Sequence, residues 1–161
     1  MNAREQPWKD QYESRGRILV LSDNPIARAI ETIATTVGWQ VVVQADDDGG
    51  PGLDPRPGDA VVLCDHDAPD APGALRTALG SEATYVAMLA SRRRAATVLA
   101  ELRGEAVDVS ALHVPAGHDL GGKGPGEIAL SVVAEIVAES YDRAGGPLRG
   151  GHEGGDDRPG G

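Results

Sequence analysis

Apolar residues along this chain fall into two alternating kinds of run. Arg17-Ile18-Leu19-Val20-Leu21, Trp39 to Val43, Asp59-Ala60-Val61-Val62-Leu63 and Ala83 to Leu89 are compact apolar blocks bounded by turn residues. Such blocks predict strands buried on both faces, and Asp108 to Val114 predicts a fifth, short one. Between the blocks the apolar positions shift to helical spacing. Ile26, Ala29, Ile30, Ile33, Ala34 and Val37 line one face of a helix opened by Pro25. Ser22, Asp23 and Asn24 before it are capping types, and Gly38 closes it. Ala71 to Leu79 predicts a second helix, and Ser91 caps a third that reaches about Arg103. Pro125 opens a fourth that runs to about Tyr141, with Ile128, Ala129, Val132, Val133, Ile136 and Val137 on its apolar face.

Strands that are continuous apolar runs, alternating with helices, predict a mostly parallel sheet of about five strands covered on both faces. The fold class is therefore α/β, a Rossmann-like three-layer sandwich. Ligands on such sheets bind beyond the carboxyl ends of the strands, near the point where strand order reverses. Those ends are Ser22–Pro25, Gln44–Asp48, Cys64–Asp70, Ala90–Arg94 and Pro115–Gly124. The chemically interesting clusters of the chain fall on them, so one rim is expected to gather them. Residues 17–143 are expected to form this domain. Residues 1–16 are expected to be a flexible arm, and the Gly/Pro-rich residues 144–161 a disordered tail.

Composition narrows the partners. The 161 residues are 40% hydrophobic but only 3% aromatic, with no Phe, so the core must come from Val, Leu, Ile and Ala. A net charge of −10 argues against nucleic-acid binding through a general basic face and against docking on an anionic membrane. The single cysteine, Cys64, permits no internal disulfide. With no signal-like apolar segment at the start, this suits a cytoplasmic protein.

Each candidate cluster has a chemical reading and a plain one. Gly121-Gly122-Lys123-Gly124 before Pro125 offers backbone N–H groups and a positive charge at a helix start, an anion site or an ordinary connector. Ser91-Arg92-Arg93-Arg94 is the dense basic spot of an acidic chain. It either holds a phosphate or offsets neighbouring acids. Cys64-Asp65-His66-Asp67, with Asp70, has too few convergent ligands for a metal site. Cys64 is either a reactive thiol or a small buried apolar residue. His118 and Asp119 are a polar pair or simply loop. The first turn, Ser22 to Ala27, lacks the glycines that bring backbone to a pyrophosphate. Pro25 also removes a donor, so ordinary NAD(P) binding is not expected, and Asp46 or Asp47 reads as solvated loop.

Several segments together resemble the XdhC/CoxI family of accessory factors for molybdenum hydroxylases such as xanthine dehydrogenase and carbon monoxide dehydrogenase. Tyr85-Val86-Ala87-Met88-Leu89-Ala90-Ser91-Arg92-Arg93 is similar to that family's "YVGxLGSRR", and His113 to Gly121 to its "hxPIGLDIG". Pro125 to Ile136 is similar to "PEEIAxSIxAEI", and Asp65-His66-Asp67 with Asp70 to "THDHxxD". The likeness covers residues 17–140 and corresponds to the family's C-terminal Rossmann-like domain only. The "GAGHVG" turn is here Ser22 to Ala27, and Ala90 and Ala116 stand where the family has Gly and Ile.

The resemblance implies a binding or chaperone-type module rather than an enzyme, one that holds the molybdenum cofactor (molybdopterin) during its sulfuration or insertion. The rim clustering and the resemblance together nominate Ser22, Asn24, Cys64, His66, Ser91, Arg92, Arg93, Gly117, His118, Gly121, Gly122 and Lys123 for the cofactor. No catalytic or metal-ligating residue is nominated. Implied partners are a molybdenum hydroxylase subunit or a cysteine desulfurase, with a homodimer left open. The alternatives are an NAD(P)-binding oxidoreductase-like domain and a non-catalytic protein-interaction Rossmann module.

Overall fold

The computed structural model describes residues 16–45, 54–64 and 71–151. The arm before Gly16, the acidic loop with Asp46 and Asp47, the His66 cluster and residues 152–161 lie outside them. Element order is β1 (Arg17–Leu21), α1 (Pro25–Val37), β2 (Gln40–Gln44), β3 (Ala60–Leu63), α2 (Ala71–Leu79), β4 (Tyr85–Met88), α3 (Arg92–Gly104), β5 (Leu112–His113), α4 (Pro125–Ser140) and a short α5 (Leu148–Gly151). The five strands form one sheet in the order β2-β1-β3-β4-β5, every pair parallel. The order reverses between β1 and β3, as the α/β pattern predicts.

Side-chain alternation divides each strand between two cores. Ile18, Val20, Ala60, Val62, Tyr85 and Ala87 point to the face covered by α1 and α4. Leu19, Val61, Leu63, Val86 and Met88 point to the face covered by α2 and α3. Cores of Val, Ile, Leu and Ala suffice because both faces of the sheet contribute.

Several strand boundaries differ from the sequence expectation, and three of the shifts have a plain local reason. Trp39 does not start β2; its N–H donates to Ala34 O, and Gly38 at φ 102° turns α1 off. β4 starts at Tyr85 because Ala83 and Thr84 are held by Ser81 Oγ and Asp59 O. β5 shrinks to two residues. Asp108 captures the N–H of Ser110, Leu112 N–H donates to Val109 O, and Pro115 has no N–H to give.

A buried carboxylate fastens the opposite end of the sheet. Asp59, 1% exposed, accepts from Arg17 N (2.7 Å), Arg17 Nε (3.2 Å), Arg17 Nη2 (2.7 Å) and Arg56 N (2.9 Å). Burial raises its pKa, but these donors outweigh burial and hold it below the usual carboxylate range. The latch ties the start of β1 to the start of β3 and leaves the carboxyl ends free for a site.

Candidate functional site

The carboxyl ends of β3 and β4, the starts of α1, α3 and α4 and the loop after β5 enclose a cleft of about 540 Å³. That is within the usual range for small-molecule and cofactor pockets. Its apolar wall comes from Ile26, Leu89, Ala116, Leu120 and Ile128. Its polar groups are Cys64, Ser91, His118, Asp119, Lys123 and Ser131.

Of the twelve residues nominated from sequence, Cys64, Ser91, His118, Gly121, Gly122 and Lys123 line this one cleft. Arg92 and Arg93 follow Ser91 in the exposed first turn of α3. Ser22, Asn24 and Gly117 do not line it, and each has a conformational task instead. Ser22 is buried at φ 84° and donates its N–H to Gln44 O. Asn24 caps α1 by accepting from Ala27 N at 2.9 Å, and its Nδ2 donates to Cys64 O at 3.2 Å. Gly117, at φ +97°, starts the glycine loop and packs so closely on Ser131 that a Cβ would overlap its Oγ. His66 lies outside the described residues.

The turn after β1 has few donors to offer a pyrophosphate. Pro25 has no N–H and Ala27 gives its own to Asn24, while the side chain of Ile26 occupies the cleft wall. Asp23 beside them is paired with Arg28. The start of α3 likewise gives one N–H to its cap, Arg94 N to Ser91 Oγ at 3.1 Å, but with no proline there its first turn keeps the N–H groups of both Arg92 and Arg93. At the start of α4, Gly124 provides no side-chain cap, and the Glu127 carboxylate packs against Gly122. That helix start already faces a negative group of the chain itself. An incoming anion is better served by the α3 turn with Lys123.

Sequence reasoning missed a polar cluster beneath the glycine loop. The Glu135 carboxylate, on α4, accepts from Tyr85 Oη at 2.5 Å and from Gly117 N at 3.0 Å through the same oxygen. Its other oxygen lies 3.5 Å from His113 Nδ1. The rings of Tyr85 and His113 stack with centroids 4.4 Å apart. Burial pushes Glu135 up, but the donors His113, Tyr85 and Gly117 together bring it down to about 2. The bond to Glu135 raises His113 above its ordinary value against the effect of burial. Burial and Glu135 raise Tyr85, which stays a neutral donor. A tyrosine in an otherwise apolar strand was the available signal, since a buried hydroxyl needs a partner.

Two further features frame the site. His118 Nε2 is buried without a hydrogen-bond partner, packed against Gly145 in the segment that follows α4. Among the described residues, no group of three or more His, Cys, Asp or Glu side chains is placed to hold a metal ion, and no helix is long and apolar enough to cross a membrane.

Comparisons with known proteins agree with this architecture. The family described as the XdhC Rossmann domain matches residues 18–136. The uncharacterised protein YqeB of Escherichia coli K12 is 33% identical over 97 residues, covering 58% of this chain and 18% of YqeB. A crystal structure described as a xanthine dehydrogenase from Bacillus halodurans superimposes with a TM-score of 0.67 at 22% identity. That likeness covers 80% of this chain and 44% of the other, and shows a shared fold. The chain thus spans less than half the length of either relative. With the match running from β1 into the apolar face of α4, the chain belongs to the XdhC family through its Rossmann domain.

Proposed function

We propose that this domain is an accessory module of molybdenum hydroxylase maturation that holds the molybdenum cofactor in the cleft at the carboxyl ends of β3 and β4. The observation that carries the reading is the convergence of Cys64, Ser91, His118 and Lys123 on one pocket of about 540 Å³. The donor set fits the group. The terminal phosphate of a molybdopterin suits the α3 turn at Ser91 with Lys123 and the adjacent Arg92 and Arg93. Its flat body suits the aliphatic wall of Ile26, Leu89 and Ile128. Cys64 and His118 supply a thiol and an imidazole near it. When bound, the cofactor supplies molybdenum redox chemistry to a client enzyme; the residues here bind, orient and shield.

The starved donor count at the Ser22–Ala27 turn favours this ligand over NAD(P). Delivery also requires a client, and the exposed Leu120, a cleft-wall residue at 53% exposure, supports docking beside the pocket. A molybdenum hydroxylase subunit or a cysteine desulfurase is the partner this reading implies.

Titration of the purified chain with molybdenum cofactor tests it. Saturable binding is expected, weakened about fivefold or more by Lys123→Ala and further by Arg92→Ala in the same chain, the range for losing charge-assisted phosphate contacts. No binding, or binding indifferent to both changes, would sink the proposal.

A further inference from the structure

The glycine loop that forms one side of the cleft is tied at its root by two backbone hydrogen bonds and, between them, by a side-chain carboxylate. Glu135 reaches from the third turn of α4 to the backbone N–H of Gly117, the residue after which the loop departs. The same carboxylate takes the hydroxyl of Tyr85 from β4 and faces His113 on β5. Three elements of the fold therefore meet on one side chain, only 14% exposed, and the loop bearing His118, Gly121, Gly122 and Lys123 starts from that junction.

Two backbone bonds flank that junction. Ala116 N donates to Met88 O and His118 N to Ser131 O, so the backbone on either side of Gly117 is tied to β4 and to α4. Gly117 between them has a left-handed backbone and no room for a side chain against Ser131. Its N–H points at Glu135. Loss of that acceptor leaves a part-buried donor unsatisfied at the point where the loop changes direction.

We propose that Glu135 is a positioning residue for the cleft, fixing the loop over the strand ends through Gly117 while Tyr85 and His113 hold its carboxylate in place. The inference rests on the cleft being the binding site, but it concerns the shape of that site and not the identity of the ligand. Among the described residues, the titratable and charged groups facing His113 are Tyr85 from β4 and Glu135 and Glu139 from α4. A protonated His113 pairs with the carboxylate as an ion, and its deprotonation takes the charge from one of three partners. The loop root accordingly loosens as pH rises through the titration of His113.

Two readouts on the full chain need no ligand. One is hydrogen exchange at the Gly117 amide, corrected for intrinsic rate. The other is the labelling rate of Cys64, the single cysteine and a cleft-lining residue. Glu135→Ala is expected to speed Gly117 exchange by about tenfold or more, the range for losing a hydrogen bond to a charged group, and to change Cys64 labelling, with β1 amides unaffected. Glu135→Gln, which keeps an acceptor oxygen, holds Gly117 exchange within about threefold of the parent but abolishes its change between about pH 6 and 8. Wild-type protection of Gly117 in a folded Glu135→Ala chain overturns the proposal. So does exchange that rises equally in β1, because that is general destabilisation. Should Glu135→Ala not fold, Glu135→Gln decides, and an unaltered pH response there overturns it. Failure of the parent chain to bind molybdenum cofactor defeats the functional reading and leaves these outcomes as informative as before.

Discussion

Asn24 bridges the point where strand order reverses: its amide nitrogen donates to the carbonyl of Cys64 across 3.2 Å while its oxygen caps α1 through Ala27 N. One side chain thus ends the turn after β1, starts a helix and ties both to the end of β3. In a sheet of this order the crevice between those strand ends is where a ligand enters. Asn24 spans that crevice with a hydrogen bond, and the hollow beside it is lined by Ile26, Cys64 and Ser91.

The two bonds of Asn24 are separable by substitution. Asn24→Asp keeps the capping oxygen and loses the donor to Cys64 O; Asn24→Ala loses both. Urea unfolding should place Asn24→Ala about 1–2 kcal/mol below the parent, the range of lost caps, with Asn24→Asp losing less. Equal stability of all three chains would show that neither bond matters to the fold.

Much of this arrangement was legible in the residues. Pro25 after Ser22-Asp23-Asn24 marked the start of α1, and Pro125 with Ile128, Val132 and Ile136 marked α4 as a helix with a buried face. Apolar blocks marked the strands, and topology then placed Cys64, Ser91 and Lys123 on one rim. What sequence did not yield were contacts made across the fold. Glu135 stands within an apolar helix and Tyr85 lies 50 residues before it. No periodicity couples two such positions. The Glu127 carboxylate against Gly122 was hidden for a different reason: a first-turn acid satisfies the helix dipole wherever its side chain points, so sequence does not say that it leans on the loop. Nor did the pattern foretell that Ser22 adopts φ 84°.

The Asp59 latch should respond asymmetrically to its two partners. Asp59 is buried with every bond directed at it, whereas the Arg17 side chain is 24% exposed and can turn to water. Asp59→Ala strands the backbone N–H groups of Arg17 and Arg56 while the guanidinium turns to water, and a loss of about 2–4 kcal/mol is expected from the two donors left unsatisfied. Arg17→Ala leaves Asp59 its two backbone donors and should cost clearly less. Chemical denaturation of the two variants compares them, and equal losses would contradict the assignment.

Stability as a function of pH should carry the signature of His113 and Glu135. Glu135 is held at about 2, below its ordinary 4.5, so its contribution is present above pH 4.5 and drains away as pH falls toward 2. His113 is raised above 6.5, so its contribution is complete below 6.5 and is lost as pH rises through the folded value. The pair is at full strength between those two ordinary values. Melting temperatures of the parent and of His113→Gln, taken from about pH 5 to 8, should converge at the alkaline end. A gap between them that stays constant across this range would mean that the imidazole does not pair with Glu135.

Gly117 offers the sharpest test of how the loop root is packed. Its φ of +97° penalises any side chain, and a Cβ there overlaps Ser131 Oγ, with Ser131 Cβ at 3.2 Å behind it. Ser131 is itself buried and its hydroxyl is tied to Ile128 O at 2.7 Å, so it has no free direction in which to retreat. Gly117→Ala should therefore destabilise by about 2 kcal/mol or more, beyond the roughly 1 kcal/mol of backbone strain alone. Ser131→Ala removes the overlapping oxygen and keeps the Cβ. In that background Gly117→Ala should cost measurably less, and the double-mutant cycle gives a coupling of about 1 kcal/mol. If the costs simply add, backbone conformation and not the contact with α4 dictates the glycine, and the loop root has more room than its closest neighbour allows.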